Sequence, residues 1–130
     1  MGWWFSLSQC LLSGALVASS QQEMYEALEK CYKEMAAKYQ LPMIPCGDII
    51  QKVRKLDSFN RKKGGISLCR DGFHMDFIYG RYLLACVWAK KLFHIELKDN
   101  SFVPKLEGQE KQTDRGLLQE ICKVVDCYEM

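Results

Sequence analysis

The sequence carries little net charge of either sign. Its 18 Lys and Arg against 16 Asp and Glu leave a formal charge of +2, and the basic residues are interspersed with acidic ones. That balance argues against nucleic acid as the main partner, because neutralising phosphates normally takes a clustered basic face. Histidine is scarce, at two residues, and no Cys-x-x-Cys pair occurs among the seven cysteines. The nearest pair, Cys122 and Cys127, has a spacing uncommon for zinc ligands, and neither histidine lies near a cysteine pair. No metal or other cofactor is therefore expected. A membrane-spanning run is also missing: Phe5–Ser20 is apolar but short and rich in serine. No Lys or Arg precedes it, whereas a secretory signal normally begins with positive charge. Residues 1–20 are accordingly read as a loop and helix edge, with a cleaved signal as the alternative. No internal repeat is visible.

What the chain does contain suits a folded protein. At 130 residues it makes one domain at most, or part of one, and 48% hydrophobic residues with 12% aromatics allow a packed core. An odd number of cysteines cannot all pair within one chain. Cys31, Cys46 and Cys86 read as small buried apolar side chains on helix and strand faces. Free thiols fit a reducing compartment, which favours a cytoplasmic location over a secreted one.

Hydrophobic periodicity places a helix at Gln21–Tyr39, where Met24, Leu28, Cys31, Tyr32, Met35 and Tyr39 recur at three- and four-residue steps. Ser19 or Ser20 caps it, with Glu23 in the first turn. Leu41–Pro45 is a short apolar run bounded by prolines and reads as a buried parallel strand, with Gly47 turning the chain out of it. Asp48–Leu56 reads as a second helix and Asp57–Gly65 as a loop with a solvated basic tip at Arg61–Gly65. Phe77–Phe93 is the most apolar helix, read as buried on more than one side. Thr113 or Asp114 begins a last amphipathic helix through Leu117, Leu118, Ile121, Val124 and Val125. Helices flanking a parallel-type strand make an α/β pattern, yet one strand cannot make a sheet. The chain therefore reads as a piece of a larger fold, with an exposed sheet edge through which it would self-associate.

The chemistry concentrates at Asp71 and His74, three residues apart. That spacing lets a carboxylate hold one imidazole nitrogen while the other faces a cleft, which fixes the tautomer and stabilises the imidazolium. A capping interaction at a helix start is the bland alternative. Gly72 permits an unusual turn between them. Arg81 is expected to pair with a carboxylate or carbonyl around the Asp71 loop, Trp88 to lie in the core, His94 to end the helix, and Asp76 to cap it.

The segments IPCGDIIQKVRK, SLCRDGFHMD and YGRYLLACVWAKKLF carry a resemblance beyond these pairwise features. Together they resemble the C-terminal part of an SGNH (GDSL-type) hydrolase-like family, largely of unassigned specificity. Gly47, Gln51, Arg54, Arg70, Asp71, Gly72, His74, Gly80, Arg81, Tyr82 and Trp88 match its pattern. The resemblance implies a three-layer α/β/α, flavodoxin-like fold, of which residues 21–130 would be the C-terminal part, mostly helical with one or two parallel strands. It also implies that His74 is the base and Asp71 the orienter of a Ser-His-Asp triad, supported by Arg70, Gly72 and Arg81. The substrate would be a small-molecule or carbohydrate acyl ester. The family's Gly-Asp-Ser block and oxyanion-hole residues have no counterpart in this sequence. The chain is thus expected to be a hydrolase fragment without its nucleophile. The alternatives are a non-catalytic remnant that keeps this half for packing or interaction, or a subunit completed by a separate polypeptide.

Overall fold

The Ser20 side chain accepts a hydrogen bond from the Glu23 amide at 3.2 Å and so starts a helix. In the computed structural model, residues 20–71, 74–106 and 113–130 are described. Four α-helices are found among them: α1 (Gln21–Tyr39), α2 (Cys46–Val53), α3 (Tyr79–Phe93) and α4 (Arg115–Asp126). Two turns of 3-10 helix, Asp57–Phe59 and Arg61–Lys63, follow α2. The chain divides into two compact units, Met1–Met43 and Ile44–Met130.

In the first unit, α1 has the cap and periodicity expected of it and ends at Gln40 in the left-handed conformation, φ 51°. None of its residues is fully buried, and local pairs contribute to its stability. These include the Gln22–Glu26 hydrogen bond at 2.8 Å and the Lys33–Glu29 ion pair, each four residues apart on the helix surface. Cys31 is disulfide-bonded, contrary to the free thiol expected there.

The second unit holds the core. Ile49 and Val53 of α2, Leu83 and Val87 of α3, and Ile121 and Val125 of α4 are fully buried, with Phe59 and Leu68 between them at about 1% exposure. Each such side chain contributes on the order of 1.5–3 kcal/mol relative to leaving it in water. The helices pack as a three-helix group, with α3 and α4 in the most extensive contact.

No strand or sheet is formed by the described residues, which overturns the α/β/α expectation. Leu41–Pro45 takes no regular secondary structure and has no ladder partner among the described residues. Its prolines at 42 and 45 supply no amide donors, and the only bridge among the described residues, Cys69 with Met75, is a local turn contact. Among the described residues there is no sheet edge, so the expected self-association through one has no support. Gly47 lies inside α2 rather than in a turn before it.

The expectation of an α3 buried on several sides also needs correcting. Gly80, Tyr82, Leu83, Cys86 and Val87 are buried, but Trp88, Leu92 and Phe93 are 51%, 52% and 72% exposed. Trp88 is therefore a half-exposed residue and not a core one. His94 does end α3, in the left-handed conformation with its amide donating to the Lys90 carbonyl at 2.9 Å. Gly80 is required by close approach: a Cβ there would lie 2.4 Å from the Leu68 carbonyl oxygen. The start of α3 is thereby pressed onto the segment that carries Asp71.

Candidate functional site

A short turn presents the Asp71–His74 pair. The Arg70 amide donates to the His74 carbonyl at 3.0 Å, and the Asp76 amide donates to the Leu68 carbonyl at 2.8 Å. These two bonds bracket the Cys69–Met75 bridge and close the loop. Within it, one Asp71 oxygen accepts from the His74 amide at 2.8 Å, and the other lies 2.8 Å from His74 Nδ1. The carboxylate thus grips both the backbone and the ring of the same histidine. Asp71 acting on Nδ1 leaves Nε2 as the nitrogen available for proton transfer. Both side chains stay wet, at 67% exposure for His74 and 47% for Asp71. The attraction is therefore screened, on the order of 1 kcal/mol or less, and the bond orients the ring more than it stabilises the fold. Gly72 lies outside the described residues.

Arg70 reaches the same carboxylate, with its Nε 3.6 Å from Asp71 Oδ2. Its guanidinium also lies over the Phe77 ring at 4.5 Å, and Arg81 lies over that ring at 4.6 Å. Arg81 was expected to pair with a carboxylate or carbonyl near Asp71. It stacks on Phe77 instead, because an arginine's flat, weakly hydrated guanidinium gains from an aromatic face. Arg81 is thus linked to Arg70, and through it to Asp71, by the shared Phe77 ring, which the sequence reading did not single out. An aromatic three residues after the histidine, with an arginine four residues further on, was the available signal.

Asp76 caps α3 as expected, accepting from the Ile78 and Tyr79 amides at 3.0 and 2.8 Å. Tyr82 is a buried junction: its hydroxyl lies 3.2 Å from Cys122 Sγ and accepts from Asn100 Nδ2 at 3.0 Å. Burial raises the Tyr82 hydroxyl far above its ordinary range. Burial likewise pushes the Cys86 thiol up to about 12, helped by Cys122 beside it. Neither is a nucleophile at neutral pH. Among the described residues no serine, threonine or cysteine side chain is hydrogen-bonded to His74, and no group of three His, Cys, Asp or Glu side chains is gathered to hold a metal ion. None of the helices among them is long and apolar enough to cross a membrane.

The model of a family described as a domain of unknown function, DUF4886, matches residues 15–116, more than three quarters of the chain. The chain belongs to that family. The DUF4886 match takes in the Asp71–His74 turn, the Phe77 stack and all of α3, and ends as α4 begins. No curated protein and no solved structure matches the chain.

Proposed function

We infer that Asp71 and His74 are the orienter and general base of an ester-hydrolysing site. His74 Nε2 takes the proton of a nucleophilic hydroxyl as its oxygen bonds to the acyl carbon, and returns that proton to the departing alcohol. Water then releases the acyl group through the same histidine. The observation that carries this reading is the double hold of Asp71 on the His74 amide and Nδ1, each at 2.8 Å. A capping interaction alone needs only the first of these bonds; the second sets the tautomer that a base requires. The likeness of the RDGFH and GRY segments to SGNH hydrolases supports the reading, with a small-molecule or carbohydrate acyl ester as substrate. No serine of this sequence matches the family's nucleophile block, so the chain supplies the base and its orienter and not the nucleophile.

A non-catalytic interaction module is the competing reading, favoured by the open setting of the pair and the half-exposed Trp88 and Leu92. Hydrolysis of p-nitrophenyl acetate by the full chain, with and without His74→Ala, separates the two. The hydrolase reading expects a rate above that of buffer, about 100-fold lower in His74→Ala. No rate above buffer, or a rate indifferent to His74→Ala, leaves the interaction module.

A further inference from the structure

Along α3, Arg81, Ala85, Trp88 and Leu92 follow one another at four-, three- and four-residue steps, which puts them on one face of the helix. All four are exposed, Trp88 at 51% and Leu92 at 52%. The core lies on the opposite side, through Leu83, Cys86 and Val87. Past the helix end the apolar surface continues to the exposed Ile95 and Phe102. A contiguous apolar face of this kind marks a surface that another body covers.

The order of residues along the face says which body. In an antiparallel pair of identical helices, a two-fold axis between Trp88 and Ala89 sets Leu92 against Ala85 of the second copy. It likewise sets Trp88 against Ala89. Each large side chain meets a small one, the pattern that lets two helices pack closely.

The same register brings Arg81 level with Glu96, which stands just beyond the helix end and is well exposed. Arg81 lies on the Phe77 ring and forms no ion pair with any carboxylate among the described residues. Glu96 has a surface contact with Lys98 at 2.9 Å, and Asp99 lines the groove beside it. One chain thus carries a cation at the start of the face and surplus carboxylates past its end. A small anion would meet Glu96 and Asp99, and a wholly apolar partner would leave both ends unmatched. A second copy laid end for end matches them.

We propose that the exposed face of α3 pairs with the same face of a second copy, antiparallel about an axis beside Trp88 and Ala89, with Arg81 of each chain meeting Glu96 of the other. The 15 residues of α3 span about 22 Å, so the contact falls at the small end of specific interfaces. The dimer should accordingly dissociate on the order of tens of micromolar. The pairing depends on neither reading of the Asp71–His74 site.

Sedimentation velocity of the full chain, from about 5 to about 500 μM, tests it. A monomer at the lowest concentration should give way to a dimer at the highest. Leu92→Lys should weaken association more than tenfold with Tm unchanged. Arg81→Glu and Glu96→Arg should each weaken self-association about tenfold, because each sets like charges together twice. An equal mixture of these two variants should recover the dimer, since both contacts then join opposite charges. Recovery on mixing cannot arise from misfolding of either chain, so the test stands even where one variant is less stable. A monomer throughout overturns the proposal and gives the face to a different partner. It is equally overturned by a dimer that Leu92→Lys leaves intact, or by a mixture no more associated than either variant alone.

Discussion

Two aspartates in the second unit do opposite work with similar hydrogen bonds. Asp126, at the end of α4, is mostly buried and binds three segments together. Its side chain accepts from Lys90 Nζ of α3 at 3.2 Å and from the Leu97 amide at 3.0 and 3.1 Å, while its carbonyl takes a second Lys90 contact at 2.8 Å. Asp71 is half exposed, and its hydrogen bonds to His74 join residues only three positions apart in one turn. A carboxylate that joins distant elements in a drier setting is a structural tie. One whose described hydrogen bonds close a single turn, in water, contributes little to folding and much to the aim of a single ring. The difference lies in what each bond closes.

Removing each carboxylate in turn breaks or sharpens that contrast. Asp126→Ala leaves Lys90 and the Leu97 amide without their partner in a partly buried setting, and should cost about 2–4 kcal/mol in urea unfolding. A loss under about 0.5 kcal/mol would show that the tie is not structural.

Alkaline pH probes the same interior. Cys86, raised from 9.0 to about 12, holds its proton more tightly in the folded chain than in the unfolded one. The stability this contributes is present below 9.0 and lost as pH rises from there towards 12, so the urea midpoint should fall steadily over that window. Cys86→Ala should flatten the slope.

Asp76→Ala removes the cap of α3 and should cost about 1 kcal/mol, read as a lowered Tm. Asp76 sits two residues from His74, so this variant also asks whether the turn carries structure at all. Smallest of all, Asp71→Asn and His74→Ala should each stay within about 0.5 kcal/mol of wild type, as exposed substitutions do. A drop of several kcal/mol for either would make the pair structural and remove the contrast.

Much of the local architecture was legible in the residues. The Ser20 cap, the span of α1, the apolar course of α3, the Asp114 start of α4 and the Asp76 cap all depend on neighbours within a turn or two, and periodicity reports them directly. The Asp71–His74 contact was legible for the same reason. The strand assigned to Leu41–Pro45 failed because an apolar run is compatible with a ladder but does not supply one; a strand needs a partner, and no partner strand is found among the described residues. Trp88 was misplaced because composition alone does not say which side of an apolar helix is covered.

By itself, then, the sequence determined the helices, their caps and the spacing that sets a carboxylate against His74, since these interactions close over three or four residues. The tertiary structure alone decided that Arg70 and Arg81 meet on the one Phe77 ring and that Trp88 lies half exposed. It also decided that Asp126 binds α3, α4 and Leu97 into one core. Those outcomes depend on which surfaces meet and how much water they keep, and neither is written in the spacing of residues along a chain.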